Sequence, residues 1–175
     1  MKRLILMRHA KTEPWTEGVD DHGRALTALG HEAAGVMARA LKGEGWAPEK
    51  AIVSTARRTR ETWRHLADVF GACERVLEDE LYLAGERGIA DIISAHDGAG
   101  TLMILGHNPG LHDLSLHILR AAGSADHQAS IRIAAKLPTG AAVLFEAPED
   151  GAFRPVHFRL QNFIKPKDLL PGEGV

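Results

Sequence analysis

The stretch that decides the fold covers residues 3–13 and reads Arg3-Leu4-Ile5-Leu6-Met7-Arg8-His9-Ala10-Lys11-Thr12-Glu13. Four apolar residues in a row, with charged residues on both sides, predict a short strand that is buried on both faces. Open α/β sheets bind ligands at the carboxyl ends of their strands. Arg8 and His9 therefore bring a fixed cation and an imidazole to a ligand-binding edge. Arginine offers a rigid fork of donors that matches phosphate oxygens, and histidine acts as a nucleophile or a general acid and base near neutral pH.

Two more buried strands, near residues 51–53 and 101–105, end in residues of the same chemistry. The first runs into Ser54 and then into a helix, whose N-terminus directs backbone N–H groups and a positive dipole at an anion. The second ends in Gly106-His107-Asn108-Pro109-Gly110, where glycine lets a ligand approach the backbone closely. Since parallel strands end at one edge, we expect two arginines, two imidazoles and a helix N-terminus around one oxyanion.

Strands alternate with helical patterns along the chain, which predicts a three-layer, doubly wound α/β fold with a mostly parallel sheet and helices on both faces. Further elements are expected as strands near 74–78, 141–146 and 156–160, and as helices near 27–41, 56–70, 87–96 and after residue 110. Thr27 is the expected N-cap of the first helix, and residues 121–130 are expected to form a loop. We expect one domain over residues 1–165 and a loosely held C-terminal tail over residues 166–175.

The chain of 175 residues is 45% hydrophobic and 25% charged, as is typical of one globular domain. A formal net charge of -2 argues against a nucleic acid or an anionic membrane held by bulk charge, so an anion site must be a local cluster. Cys73 is the single cysteine, which excludes an internal disulfide and fits a reducing compartment. The apolar run before Arg8 is too short for a signal peptide, and no other stretch approaches a membrane span. We therefore expect a cytoplasmic protein.

The helix near the second strand end carries several arginines, and such a run is more often a solvated face than a site. Arg57, Arg64 and either Arg60 or Glu61 share one face, which we assign to solvent. Arg58 lies on another face and early enough in the helix to reach the strand ends. We assign Arg58 to the anion site.

Three motifs in this order resemble the histidine phosphatase superfamily, the phosphoglycerate-mutase-like clan with an Arg-His-Gly signature: the Arg8-His9 turn, Ser54-x-x-x-Arg58-x-x-x-Thr62 and Gly106-His107-Asn108-Pro109. The short chain and the Arg24-Ala25-Leu26-Thr27-x-x-Gly30 stretch are most similar to its small single-domain branch, the SixA-type phosphohistidine phosphatases. The resemblance covers most of residues 3–146, and the order and spacing of the motifs are more specific than any one motif. Ala10 stands where the clan usually has Gly, without removing a catalytic group, and Thr55 replaces the commoner Pro.

This resemblance implies a phosphoglycerate-mutase-like fold and a role for each residue of the constellation. His9 would attack phosphorus and form a phosphohistidine intermediate that water then hydrolyses. Arg8, Arg58 and His107 would neutralise the equatorial oxygens of the transferring phosphoryl group. The substrate-binding residues would be Arg24, Asn108 and Ser54. Neither a metal ion nor another cofactor is expected, because the cations are protein side chains.

Phosphate-ester members of the clan use a carboxylate to protonate the leaving alcohol, and no spacing in this sequence singles that residue out. The possible general acids are Asp79, Glu80 and Asp21, with Glu13 and Asp20 as further carboxylates in the loop after the first strand. Phosphohistidine leaves as imidazole, whose pKa near ~6.5 makes it a far better leaving group than an alkoxide. A phosphatase for phosphohistidine therefore works with a weak acid or none, whereas an enzyme for sugar phosphates does not.

The leading hypothesis is a metal-independent phosphatase that acts on phosphohistidine in a histidine-containing phosphotransfer protein or domain. One alternative is a phosphatase for small phosphoesters, which the compact chain disfavours because it lacks large insertions that enclose a small substrate. A different class is a phosphate- or phosphoprotein-binding module without turnover, which would have no need of His9. A metal site of His107, His112 and Asp113 is the remaining alternative, although its five-residue histidine spacing does not put both imidazoles on one helical face. No nucleic-acid or membrane partner is expected.

Overall fold

A computed structural model of the chain describes residues 1–18, 20–123 and 127–170. Within these residues six strands form one sheet: β1 (Arg3–Arg8), β2 (Lys50–Ser54), β3 (Glu74–Glu78), β4 (Thr101–Gly106), β5 (Ala142–Glu146) and β6 (Arg159–Ile164). The strand order is β3-β2-β4-β1-β5-β6. β5 runs antiparallel to both of its neighbours, and the other pairs are parallel.

Helices cover both faces of the sheet: α1 (Ala28–Gly43), α2 (Arg57–Phe70), α3 (Glu86–Ala95), α4 (Gly110–Ala122), α5 (His127–Ala135) and α6 (Pro166–Leu169). α1 and α2 pack on one face through residues such as Met37 and Trp63. α3 and α4 pack on the other face through residues such as Ile89 and Leu114. The predicted three-layer α/β fold with a mostly parallel sheet is therefore confirmed.

The apolar run of β1 explains why this strand lies inside the sheet. Leu4 and Leu6 point into the core that α3 and α4 cover, whereas Ile5 and Met7 point into the core beneath α1 and α2. All four side chains are fully buried. Each burial contributes roughly 1.5–3 kcal/mol relative to an exposed side chain. β1 is thus held on both faces, and its carboxyl end has a fixed position.

The N-terminus of α1 has the predicted cap. The hydroxyl oxygen of Thr27 accepts a hydrogen bond from the N–H of Gly30 at 3.0 Å. This bond satisfies one of the free backbone donors in the first turn and fixes the point at which the preceding loop ends.

Two expectations for the last third of the chain are wrong in position. The final strand occupies Arg159–Ile164 rather than 156–160, because Pro155 begins a 3-10 turn over Pro155–His157 that delays the extended backbone. The expected loop over 121–130 is interrupted as well, since α4 continues to Ala122 and α5 begins at His127. Residues 124–126 of that loop lie outside the described residues.

The predicted domain boundary and tail stay predictions. Pro166–Leu169 form the short helix α6, whose Pro166 is buried, and the remainder of the tail at residues 171–175 lies outside the described residues. No helix in the described part of the chain combines the length and the apolar character that a membrane span requires.

Candidate active site

Three strand ends meet at one edge of the sheet, as predicted. β4 lies between β1 and β2, and all three strands are parallel. Ser54 is the last residue of β2, while His9 and His107 directly follow β1 and β4. The ring centroids of the two histidines are 5.3 Å apart, and both side chains are almost completely buried.

The ring of His9 has one defined tautomer. Its Nδ1 lies 2.8 Å from the carbonyl oxygen of Ala10, which only accepts, so Nδ1 carries the proton and donates. Burial is the main cause that lowers the pKa of His9 to about 3. The bond to Ala10 opposes this shift, and the charges of Arg58, Arg8 and Arg24 add to it. At neutral pH the imidazole is uncharged, and the lone pair of Nε2 is available as a nucleophile.

The backbone that carries His9 is held from two sides. The carbonyl oxygen of His9 accepts from the N–H of Gly140 at 2.8 Å, and the N–H of Ala10 donates to Thr62 Oγ1 at 3.0 Å. Thr62 is fully buried on α2, and its hydroxyl donates to the carbonyl of Arg58 at 2.7 Å. α2 therefore positions the turn that carries His9 as well as an arginine of the candidate site.

Ala10 and Thr55, the two residues that differ from the family pattern, both make contacts that the structure explains. The side chain of Ala10 is fully buried and packs with Leu26 and Ala34, so its methyl group fills an apolar space. Thr55 Oγ1 lies 3.1 Å from Nε2 of His22, which ties the loop before α1 to the end of β2. A proline at position 55 would lack this bond because its side chain has no polar atom.

His107 is neutral and is also partly paired. Its Nε2 lies 2.8 Å from Oγ of Ser54, whereas its Nδ1 is buried without a hydrogen-bond partner. Burial is the main cause that lowers the pKa of His107 to about 3, and the nearby charge of Arg58 adds to it. If the Ser54 hydroxyl donates to Nε2, the proton of His107 is on Nδ1, where it can be donated to an anion.

Asp21 connects two of the predicted arginines. Its carboxylate accepts from Nη2 of Arg58 at 3.1 Å and from the Tyr82 hydroxyl at 2.8 Å, and it lies 3.0 Å from Nη2 of Arg24. Arg58 also donates through Nη1 to the backbone carbonyl of Asp21 at 2.7 Å. Burial alone would raise the pKa of the Asp21 carboxyl, but the Tyr82 hydroxyl and the two guanidinium groups bring it below its usual value. The carboxylate is therefore ionised at neutral pH.

Arg8 and Asn108 share one backbone acceptor. Nη1 of Arg8 and Nδ2 of Asn108 each donate to the carbonyl oxygen of Leu137 at 3.0 Å. Burial, and then the charge of Arg58, lower the pKa of Arg8. The loop before β5 thus orients two of the predicted site residues.

Unpaired polar atoms are concentrated in these side chains. In the described ranges, the buried side-chain nitrogen and oxygen atoms without a hydrogen-bond partner are Arg8 Nε, Arg24 Nε, Arg58 Nε, His107 Nδ1 and Asn108 Oδ1. Every one of them belongs to a residue that the sequence assigns to the site. A buried polar group that stays unpaired costs about 1–3 kcal/mol. Nitrogen donors predominate, so the arrangement suits an anion with several acceptor oxygens.

The possible general acids are in different surroundings. Asp21 lies among the site residues, as described above. Asp79 and Glu80 are exposed after β3, and their side chains form no hydrogen bond or ion pair with the described residues. Asp20 caps the 3-10 turn Asp21–Gly23 by accepting from the N–H of His22.

Two groups at the site had no signal strong enough to be predicted. Tyr82 bonds to Asp21 as above, and its ring meets that of His107 edge-on with centroids 5.5 Å apart. Tyr82 lies four residues after the end of β3, which is a fourth strand end at the same edge of the sheet. That position was the signal available in the sequence. Leu137 contributes a backbone carbonyl, so its residue type carries no information about this role.

The arginine run of α2 divides largely as predicted. Arg58 is only 2% exposed, and the exposed members are Arg57, Arg60 and Arg64. The assignment of Glu61 to solvent is wrong, since this side chain is 7% exposed. Its carboxylate accepts from the buried N–H of Leu26 at 2.8 Å and from Nε of Arg57 at 2.7 Å. Glu61 is buried because it satisfies a backbone donor that no water reaches.

The alternative metal ligands have different partners. His107 contacts Ser54, whereas Nε2 of His112 lies 2.7 Å from the carbonyl oxygen of Ile133 and must donate to it. Within the described ranges, no group of three or more histidine, cysteine, aspartate or glutamate side chains is placed to hold a metal ion. That the reaction needs no metal stays a prediction.

Known proteins resemble this chain in sequence and in fold. The family model of the histidine phosphatase superfamily (branch 1) matches residues 4–82. An uncharacterized protein of Mycobacterium tuberculosis is 33% identical over 139 residues, which cover 79% of this chain and 85% of that protein.

Solved structures extend the similarity over nearly the whole chain. A protein of Nakamurella multipartitia assigned as phosphohistidine phosphatase SixA has a TM-score of 0.80 and 26% identity, with 94% of this chain and 96% of that chain covered. A phosphoserine phosphatase of Entamoeba histolytica has a TM-score of 0.63 and 18% identity, with 97% and 100% covered. The predicted phosphoglycerate-mutase-like fold class is confirmed, and these matches support a phosphatase that relies on histidine chemistry. The chain belongs to the histidine phosphatase superfamily.

Proposed function

We propose that the protein is a metal-independent phosphatase that uses His9 as its nucleophile and removes phosphate from phosphohistidine on a phosphotransfer protein. The observation that carries this proposal is the set of unpaired buried polar atoms, which all belong to residues around His9. Donors that are held in place before the ligand arrives stabilise charge on a transferring phosphoryl group without reorganisation.

The reaction has two displacements at phosphorus. Nε2 of His9 attacks phosphorus and forms the N–P bond to His9, while the P–N bond to the substrate breaks. The substrate ring, protonated on its other nitrogen, leaves as neutral imidazole. Water then attacks phosphorus, the bond to His9 breaks, and the proton of that water leaves with the phosphate product. The low pKa of His9 supports the first step because the free base is present at neutral pH.

The surrounding side chains bind and neutralise the phosphoryl oxygens. Arg8, Arg58 and His107 would donate to the equatorial oxygens, with the free Nε and Nδ1 positions as the donors. Arg24 and Asn108 would bind the substrate at the rim, and Ser54 would hold the tautomer of His107 through its hydroxyl.

The state of Asp21 favours a substrate with a good leaving group. This carboxylate is ionised and bound to two arginines, so it is poorly suited to donate a proton. An imidazole leaves without strong acid assistance, because its pKa is near ~6.5. Phosphohistidine therefore needs less proton donation from this site than a small phosphoester does.

The test is phosphate release in the presence of EDTA from a phosphotransfer protein phosphorylated on histidine, and in parallel from an aryl phosphate. Wild type should turn over in chelator, and His9→Ala should be inactive. His96→Ala is the matched control, since His96 is the C-cap of α3 and lies five residues before β4 begins, whereas His107 follows the other end of that strand. An acid-labile phosphoenzyme should be trapped in wild type and be absent from His9→Ala.

Each alternative has its own outcome in this experiment. Preference for the aryl phosphate would favour a small phosphoester as substrate. Binding of phosphate without turnover of either substrate would favour a binding module. Loss of activity in EDTA would contradict the metal-free mechanism.

A further inference from the structure

A basic cleft lies at the same sheet edge as His9, on the side of β5 and β6. β5 begins and β6 ends at this edge, because Ala142 pairs with both Met7 and Ile164. The cleft has a volume of about 530 Å³. Its charged lining, which defines the basic cleft here, consists of Arg132, Lys136, Lys165 and Lys167.

Part of this charge is fixed in place and part is free. Asp168 lies 3.0 Å from Nη2 of Arg132 and 3.5 Å from Nζ of Lys165, and both cations also lie within 6 Å of the ring of Phe163. Lys136 and Lys167 are exposed, and their side chains have no acidic partner among the described residues. A surplus of cations therefore faces solvent on a protein whose net charge is -2.

The wall of the basic cleft is continuous with the phosphate site. Leu137, whose carbonyl holds Arg8 and Asn108, directly follows Lys136. Gly140 bonds to the carbonyl of His9, and a Cβ at position 140 would lie 2.7 Å from Pro166, so only glycine permits this packing. Residues 137–140 thus join the two sites as one rigid loop.

We propose that the basic cleft binds acidic side chains on the surface of the phosphoprotein while its phosphohistidine occupies the site at His9. This inference rests on the proposed function and names the surface chemistry of the partner. β6 lies two strands from β1, so the lysines at the end of β6, Lys165 and Lys167, lie about 10 Å from His9 at the end of β1. A small phosphoester, whose acid group lies within a few bonds of phosphorus, does not span that separation, whereas a folded protein surface does.

The test compares KM for the phosphoprotein in wild type and in Lys136→Ala/Lys167→Ala. A surface ion pair contributes a factor of roughly 1.5 to 5, so the loss of two lysines should raise KM about twofold to twenty-five-fold at low ionic strength, with kcat unchanged. The difference should shrink at ionic strength near ~0.15 M. Hydrolysis of an aryl phosphate should be unaffected, because that substrate does not reach the basic cleft. Arg75→Ala/Arg120→Ala is the charge-matched control, since both side chains are exposed and have no acidic partner among the described residues, and Arg75 lies on β3, at the other end of the strand order from β6.

A second measurement does not depend on turnover. A fluorescent glutamate-rich peptide should bind His9→Ala, and the two lysine substitutions made in that background should weaken the binding by a similar factor. Equal KM values for wild type and the lysine variant, an equal loss on the aryl phosphate, or no binding of the peptide would each overturn the inference. Failure of wild type to hydrolyse the phosphoprotein, while the peptide still binds in a lysine-dependent way, would contradict the proposed function and leave the acidic-ligand site standing.

Discussion

Replacing Thr62 with valine removes one hydroxyl and keeps nearly the same side-chain volume. The hydroxyl accepts the N–H of Ala10 and donates to the carbonyl of Arg58. The helical N–H of residue 62 still satisfies that carbonyl, so the group left unpaired is the buried N–H of Ala10. Such a loss costs about 1–3 kcal/mol, and each kcal/mol shifts the Tm of a chain of this size by about 2–4 °C, so Tm should fall by about 2–12 °C.

The same change should slow catalysis, because Ala10 also fixes the ring of His9 through its carbonyl. A misplacement of about 1 Å costs up to ~10² in rate, so we expect kcat to fall by roughly tenfold to a hundredfold. Steady-state hydrolysis of an aryl phosphate well below the Tm of each variant measures this effect. Thr62→Ser is the matched control, since it keeps the hydroxyl and loses only a methyl group, and it should retain kcat.

The two readouts separate stability from positioning. A valine variant that loses Tm but keeps the kcat of the serine variant would refute the idea that α2 positions the nucleophile. Unchanged Tm would refute the hydrogen bond itself.

Three other predictions concern charge at the site. The pKa values of His9 and His107 are about 3 in the folded protein and ~6.5 in the unfolded chain. Between these values the unfolded chain therefore binds more protons than the folded protein. Each histidine should lower the free energy of unfolding by about 1.4 kcal/mol per pH unit as the pH falls through that window. Urea unfolding at several pH values measures this slope, which His9→Asn should reduce; an unchanged slope would contradict the low pKa. Arg58→Ala should lower kcat by ~10²–10³ on both substrates, while Arg60→Ala, exposed on the same helix, should match wild type. Asp21→Asn should lower kcat/KM by a similar factor for phosphohistidine and for an alkyl phosphate, because the carboxylate orients two arginines. A selective loss of activity on the alkyl phosphate, together with loss of the alkaline limb of the pH profile, would identify Asp21 as a general acid instead.

The residues that follow strand ends were predictable from the sequence. An apolar run specifies a buried strand, and the next residue then has both a known position and a known chemistry, as with His9 and His107. Arg58 could be distinguished from the solvent-exposed arginines of α2 because helical spacing determines on which face of the helix each arginine lies. These arguments need no knowledge of the loops.

Asp21 was predicted only as one of several carboxylates near the site, and neither its contact with two arginines nor the presence of Tyr82 could be predicted, because both depend on tertiary contacts. The loop that carries Asp21 has no periodic pattern, and its place is set by a 3-10 turn, by Arg24 three residues later and by Arg58 on α2. Tyr82 reaches the site through the turn after β3. The last strand was misplaced for a local reason, since the turn that begins at Pro155 competes with extended backbone.

The loop that precedes β5 ties the candidate site together from residues far apart in the sequence. Arg8 is oriented by a carbonyl 129 residues further along, and the partner of His107 lies 53 residues before it. A nascent polypeptide that has formed only its first three strands already contains His9 but neither His107 nor the carbonyl of Leu137. The proposed phosphoryl transfer therefore requires β4 and β5 to have joined the sheet, so its turnover would report on native topology.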